Sequence, residues 1–202
     1  MDLVVKLIAL FFAVVIHEVA HGYVALLLGD PTAKRAHRLT LNPLVHIDLF
    51  GSIILPLALI FAHSPVLLGW ARPVPFNPAY FRDPKRGIML VGAAGPAMNF
   101  IGALAAAALF RLIGPFSQLL AIFLISFCAT NLILGIFNLI PIPPLDGSRI
   151  VMGFLPRDLA VPYLQMERFG FILIFILLYL GAFDYIVGPI YHLLLTWLLA
   201  PG

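Results

Sequence analysis

Long apolar runs alternate with short polar stretches along this chain, and the longer runs reach the roughly 20 residues that a membrane-crossing helix needs. The first extends from about Leu3 to Leu28 and stops at Gly29-Asp30-Pro31, a helix-ending signal. A polar stretch, TAKRAHRLTLNPLVHID, follows it. A later block starts at Gly87 and continues through IMLVGAAGPAMNFIGALAAAALFRLIG to Gly114; the next covers Phe116 to Ile140 and is stopped by Pro141, Pro143 and Pro144. Two shorter blocks, about Phe169 to Phe183 and Ile186 to Ala200, close the chain and are joined by DYIVGP. The expectation is an all-α polytopic membrane protein of about five transmembrane helices.

One segment resists this reading. In GSIILPLALIFAHSPVLLGWARPVPFNP, Gly51 to Pro78, the apolar core is broken by Pro56 and by HSP, and its end is proline-rich and therefore extended. Charge arbitrates. Lys34, Arg35 and Arg38 precede the segment, Arg72, Arg82, Lys85 and Arg86 follow its core, and Arg149, Arg157 and Arg168 lie in the last polar stretch, ten of the twelve basic residues. The positive-inside bias places all three groups in the cytoplasm. The segment then reads as a membrane-entering hairpin with an extended return limb, which is tolerated at depth where protein or a water cavity covers its backbone. A single full crossing is the alternative, and it would place Lys85 and Arg86 outside. Helix one runs from outside to inside on this topology, as does the block ending at Ile140.

Composition sharpens the class. The chain has 202 residues, 62% of them hydrophobic and 10% charged, far from soluble averages. Nothing suggests nucleic-acid binding; the bilayer is the expected environment, and a single membrane-embedded domain over residues 1–202 the expected organisation, with a core at 3–149 and a helix pair at 169–200. The first run is longer than a signal-peptide core and is read as a retained helix. Cys128 is the single cysteine, so neither an internal disulfide nor a cysteine metal site is available. Gly95, Asn99, Ala103 and Ala107, spaced by four, make a narrow face where another helix can approach closely.

Candidate chemistry lies inside the first run, in VVIHEVAHGYVALL. His17, Glu18 and His21 match H-E-x-x-H; on a helix the two imidazoles lie one turn apart on one face and can reach one ion, while Glu18 can reach a water bound to it. Zinc suits this set, since it accepts neutral imidazole and carboxylate and keeps a position for water in catalytic sites. Glu18 lies about 20 Å along the helix from Leu3, and ionisable groups at such depth face a cavity and have a task. A third protein ligand is needed. Asp146, in NLIPIPPLDGSRI, is an acid at the end of an apolar helix, although Asp-Gly is equally a turn signal.

HEVAH in one apolar helix, GPAMN in a later one and NLIPIPPLDG ending a third resemble the site-2 protease family of intramembrane zinc metalloproteases. The resemblance covers the chain to about Arg149, and Asn138, Pro141, Asp146 and Gly147 keep the family's spacing. It implies one Zn2+ per chain held by His17, His21 and Asp146, with Glu18 as general base and Asn138 stabilising substrate or the developing oxyanion. It implies that Asn99 and Pro96 shape the site. It also implies a transmembrane protein substrate and, by extension, a prokaryotic cell membrane with the site toward the cytoplasm. Ala20 and Ser148 depart from the glycines that many members carry there, but neither replaces a ligand; no inserted PDZ domain is read, as in a minimal form. A metal-ion transporter lined by the His/Glu cluster is the alternative, disfavoured because the helices otherwise read as clean of polar groups. His46 and Asp48 read either as a second metal contact or as a capped, solvated loop, His63 as a turn residue, and His192 as a partner for a neighbouring helix.

Overall fold

The computed structural model describes residues 2–64, 69–113 and 117–200. Its helices are α1 (Asp2–Leu27), α2 (Thr32–Arg35), α3 (Leu55–Phe61), α4 (Pro84–Ile113), α5 (Gln118–Asn138), α6 (Asp146–Met152), α7 (Arg157–Gln165), α8 (Glu167–Tyr179) and α9 (Ala182–Leu199). Four of them, α1, α4, α5 and α9, are long and apolar enough to cross a membrane, and the bent pair α7–α8 makes up to five. The protein is an integral membrane protein. At 13 residues, α8 alone is about 20 Å long, short of the roughly 30 Å hydrocarbon core.

The centre is a three-helix core of α1, α4 and α5. Small residues make it possible. Gly95, Asn99, Ala103 and Ala107 are all buried on α4, as their spacing predicts. A Cβ at Gly102 would lie 3.0 Å from Ile16 Cδ1 on α1 and 3.1 Å from Asn131 Oδ1 on α5, so both neighbours pack directly onto the α4 backbone. Leu198 of α9 joins Ala103, Ala106, Ala107, Leu124, Cys128 and Leu132 in one apolar cluster. Leu3, Leu112 and Leu193, exposed on the outside, suit a lipid-facing surface.

Helix α1 ends where the sequence signals it. Gly29 adopts φ +101°, a left-handed conformation that strains any side chain, and the Asp30 N–H returns to Ala25 O at 2.9 Å. The joint between the last two helices differs from expectation. DYIVGP does not interrupt the chain: α9 begins at Ala182 and carries Gly188 and Pro189 within it, while the turn is made by Gly181 at φ +70°. A proline signals a break less surely than a glycine that must adopt positive φ.

After α2, a 3-10 turn (Pro43–His46) and a π-helical turn (Leu49–Ile54) lead into α3. Residues 65–68, at the expected tip of the hairpin, and Gly114 and Phe116, expected helix ends, lie outside the described residues. From Gly69 the chain returns without regular structure, past its own start: Trp70 N–H donates to Gly51 O at 3.1 Å, Arg72 N–H to His46 O at 2.8 Å, and Ser52 Oγ to Trp70 O at 2.8 Å. Residues 46–72 thus close on themselves.

The basic loops gather at one end of the bundle. Arg38 Nη2 donates to Arg72 O at 2.6 Å, Arg35 Nη1 to Tyr80 OH at 3.5 Å, and Lys85 Nζ to Leu155 O at 2.5 Å. Arg111 lies at the far end of α4, where its Nη2 donates to Trp197 O at 2.8 Å.

Candidate active site

His17 and His21 stand one turn apart on α1, both buried, with ring centroids 4.6 Å apart. Asp146 reaches them from the first residue of α6. The chain arrives there through Ile140–Leu145, where Ile142 N–H bonds Ile140 O and Leu145 N–H bonds Ile142 O, a compact turn that folds the end of α5 back toward α1. Tyr163 OH donates to Pro141 O at 2.7 Å and holds it from outside. Gly147 is required by close approach, because a Cβ there would run into the carbonyl oxygens of Leu139 and Ile140. Ser148, a departure from the family pattern, is buried and donates to Leu145 O at 2.6 Å.

Asp146 Oδ2 lies 3.0 Å from His17 Nε2 and 3.1 Å from His21 Nε2, and the two Nε2 atoms are 3.1 Å apart. The opposite ring nitrogens are engaged elsewhere: His21 Nδ1 meets Val91 O at 2.7 Å, and His17 Nδ1 meets Asn99 Oδ1 at 2.5 Å. Both partners are oxygen acceptors, so each Nδ1 carries a ring proton, and in the neutral rings each Nε2 presents a lone pair. With both rings neutral, three electron-rich atoms converge, a donor set that suits a cation between them. Tetrahedral ligands at roughly 2.0–2.1 Å from zinc are about 3.3–3.4 Å from one another, close to the spacing found here. Among the described residues these three form a group that could hold a metal ion. Arg149 Nη1 pairs with the other Asp146 oxygen, Oδ1, at 2.9 Å, which leaves Oδ2 for the imidazoles.

Glu18 is half-buried beside this group, and its Oε2 accepts the Val74 N–H at 2.8 Å. Arg38 anchors the same stretch through the Arg72 and Pro73 carbonyls. Burial, reinforced by the charge of Arg72, lowers the Arg38 guanidinium from its ordinary pKa, and the charge of Glu18 opposes them. The prolines at 73 and 75 have no N–H, while Trp70, Arg72, Val74 and Asn77 spend theirs within the protein. The return limb is thus an anchored strap, with few donors left for a strand to pair with.

A cavity of about 660 Å3 joins these groups. Glu18, His17, His21, Asp146 and Asn138 lie along it, with Trp70, Val74 and Phe76 of the limb on one wall and Phe171, Ile174 and Leu178 of α8 on the other. Trp70 and Phe171 meet across it with centroids 5.5 Å apart. Asn138 spends one N–H on Leu134 O at 3.0 Å. Pro96 is buried within α4, and a Cβ on adjacent Gly95 would lie 2.5 Å from His17 Cε1 and from His21 Nε2.

The remaining polar candidates fall elsewhere. Asp48 caps the π-helical turn by accepting the Gly51 N–H at 2.7 Å, as a capping residue should, but His46 is buried rather than solvated, with Nε2 on Thr40 O at 3.0 Å. His63 sits in a turn at φ +50°. His192 is exposed, its ring against the adjacent Tyr191 rather than another helix. Reading the sequence missed Asn131, fully buried in α5 and hydrogen-bonded to Asn99 at 2.7 Å, so the helices are less clean of polar groups than expected. An amide inside an apolar run was a usable signal. The Val91 carbonyl and Val74 N–H were not, because backbone groups leave no trace in residue type.

The profile of Peptidase family M50 matches residues 113–180, from the end of α4 to the end of α8. A protein of Bacillus subtilis (strain 168) named "Putative zinc metalloprotease YwhC" is 39% identical over 190 residues, which span 90% of this chain and 83% of that protein. No solved structure matches. At that identity and coverage the metal-transporter alternative falls away, and the chain belongs to peptidase family M50, the site-2 proteases: it is a zinc metalloprotease of membrane context acting on protein substrates.

Proposed function

We propose that this protease cleaves peptide bonds within or near transmembrane segments of other membrane proteins, in a prokaryotic cell membrane and with its site toward the cytoplasm. The observation that carries the reading is the convergence of two imidazole lone pairs and one carboxylate oxygen, with Glu18 beside them, in an apolar cavity between the limb and α8. The gathering of basic loops at one end of the bundle supports the orientation.

His17 Nε2, His21 Nε2 and Asp146 Oδ2 would hold the metal. When bound there, zinc supplies Lewis-acid polarisation of a water and of the scissile carbonyl. Glu18 takes the proton from the attacking water at Oε1, the oxygen that Val74 leaves free, and passes it to the departing amide nitrogen. Asn138 turns its second N–H toward the developing oxyanion. A substrate must be unwound to enter, since a helical amide is shielded by its own hydrogen bonds. The apolar walls accept the side chains of such a segment, and α8 supplies one of them. The helix pair at 169–200 therefore belongs to the working site together with the core at 3–149, in one domain.

Coexpression with a single-pass membrane substrate tests this. Wild type should cleave it and Glu18→Gln should not; equal cleavage by both removes Glu18 from the mechanism.

A further inference from the structure

Asn131 and Asn99 are both fully buried. Buried amides persist where their hydrogen bonds are met, and these two meet theirs in a directed chain. Asn131 Nδ2 donates to Phe127 O at 2.8 Å, one turn back on α5. Asn131 Oδ1 accepts from Asn99 Nδ2 at 2.7 Å, and Asn99 Nδ2 also donates to Ala13 O at 3.1 Å on α1. Asn99 Oδ1 then faces His17 Nδ1 at 2.5 Å.

The direction of this chain is fixed by its ends. A backbone carbonyl accepts and never donates, so Phe127 O turns the Asn131 amide with its oxygen toward Asn99. That oxygen, helped by Ala13 O, draws the Asn99 amino group away from His17 and leaves the Asn99 oxygen facing the imidazole. His17 must then carry its proton on Nδ1 and present a lone pair at Nε2. His21 needs no such help, because its Nδ1 meets the Val91 carbonyl, which cannot flip. An inverted Asn99 would offer N–H to His17 Nδ1 and move the ring proton to Nε2, where it blocks ligation.

We propose that Asn131 is a positioning residue of the metal centre: acting through Asn99, it fixes the tautomer and orientation of His17 and so sets zinc affinity. The inference rests on His17 being a zinc ligand. Groups that orient a metal-bound histidine change affinity by about 10- to 100-fold when removed.

The test uses the full chain in detergent, with zinc dissociation constants measured by chelator competition. Asn131→Leu should weaken zinc binding by about 10- to 100-fold. Adding Asn99→Asp should recover most of that loss, because a carboxylate accepts from His17 Nδ1 in either orientation, whereas a packing defect at position 131 would not be recovered. Affinity within twofold of wild type in Asn131→Leu, or a loss that Asn99→Asp leaves in place, overturns the proposal. If Asn131→Leu does not fold, nitrogen-15 NMR of histidine-labelled, zinc-free wild type decides: the neutral His17 ring should carry its proton on Nδ1, and a proton on Nε2 overturns the proposal. His17→Ala separates the two layers. Full zinc occupancy in that variant sinks the ligand assignment itself, whereas lost occupancy with an unaffected Asn131→Leu sinks the relay alone.

Discussion

The backbone N–H of Val74 lies 2.8 Å from Glu18 Oε2, so one oxygen of the carboxylate next to the first histidine is held by the limb that returns from the hairpin. On the proposed mechanism this contact divides the two oxygens between positioning and chemistry. It also ties the chemistry to the limb's anchors. Val74→Pro removes the donor, and we expect kcat for peptide cleavage to fall by about 100-fold with zinc content unchanged, the scale of loss that a misplacement of about 1 Å causes. Steady-state kinetics with metal analysis reads both.

Gly95 is where α4 comes closest to the imidazoles. With a Cβ 2.5 Å from His17 Cε1 and His21 Nε2, Gly95→Ala must push both rings off their positions. Zinc affinity should fall by at least about tenfold, as expected when ligands leave productive geometry, and chelator competition measures it.

Asp30, fully buried, ties α1 to the far end of the limb. Its Oδ1 accepts from Thr32 N–H at 2.9 Å and from Thr32 Oγ1, and its Oδ2 from Asn77 N–H at 2.5 Å. Asp30→Ala leaves those donors unmet and should cost about 3 kcal/mol, read as a lowered midpoint of thermal unfolding in detergent.

Orientation has its own check. A cysteine placed at Leu155, beside Lys85 in the basic loops, should be labelled by a membrane-impermeant reagent only from the cytoplasmic side. One at Ile113, at the opposite end of α4, should be labelled only from outside. Cys128 is buried and should stay silent.

What the residues disclose in advance is what lies close in sequence or repeats with a period. His17, Glu18 and His21 are legible because four residues make one turn, and the α4 face because its small residues recur every four. Asp146 with Gly147 reads equally well as an isolated turn; only the fold of Ile140–Leu145 carries its carboxylate back to α1. The joint at Gly181 was hidden because nothing in Gly181 itself marks positive φ, whereas Gly188-Pro189 resembles a break and is not one. The grip of Val74 on Glu18 and the contact of Asn99 with His17 join segments 56 and 82 positions apart, which no local pattern encodes.

The central claim is that His17, His21 and Asp146 hold zinc beside Glu18 to hydrolyse peptide bonds at membrane depth. Its most direct test is reconstitution of the zinc-loaded protein in liposomes with a purified single-pass substrate, followed by mass spectrometry of the products. A new terminus inside the substrate's apolar segment, produced by wild type and lost in Glu18→Gln with zinc still bound, is the expected result. Cleavage confined to the substrate's water-soluble part, or at an undiminished rate in Glu18→Gln, would contradict the account.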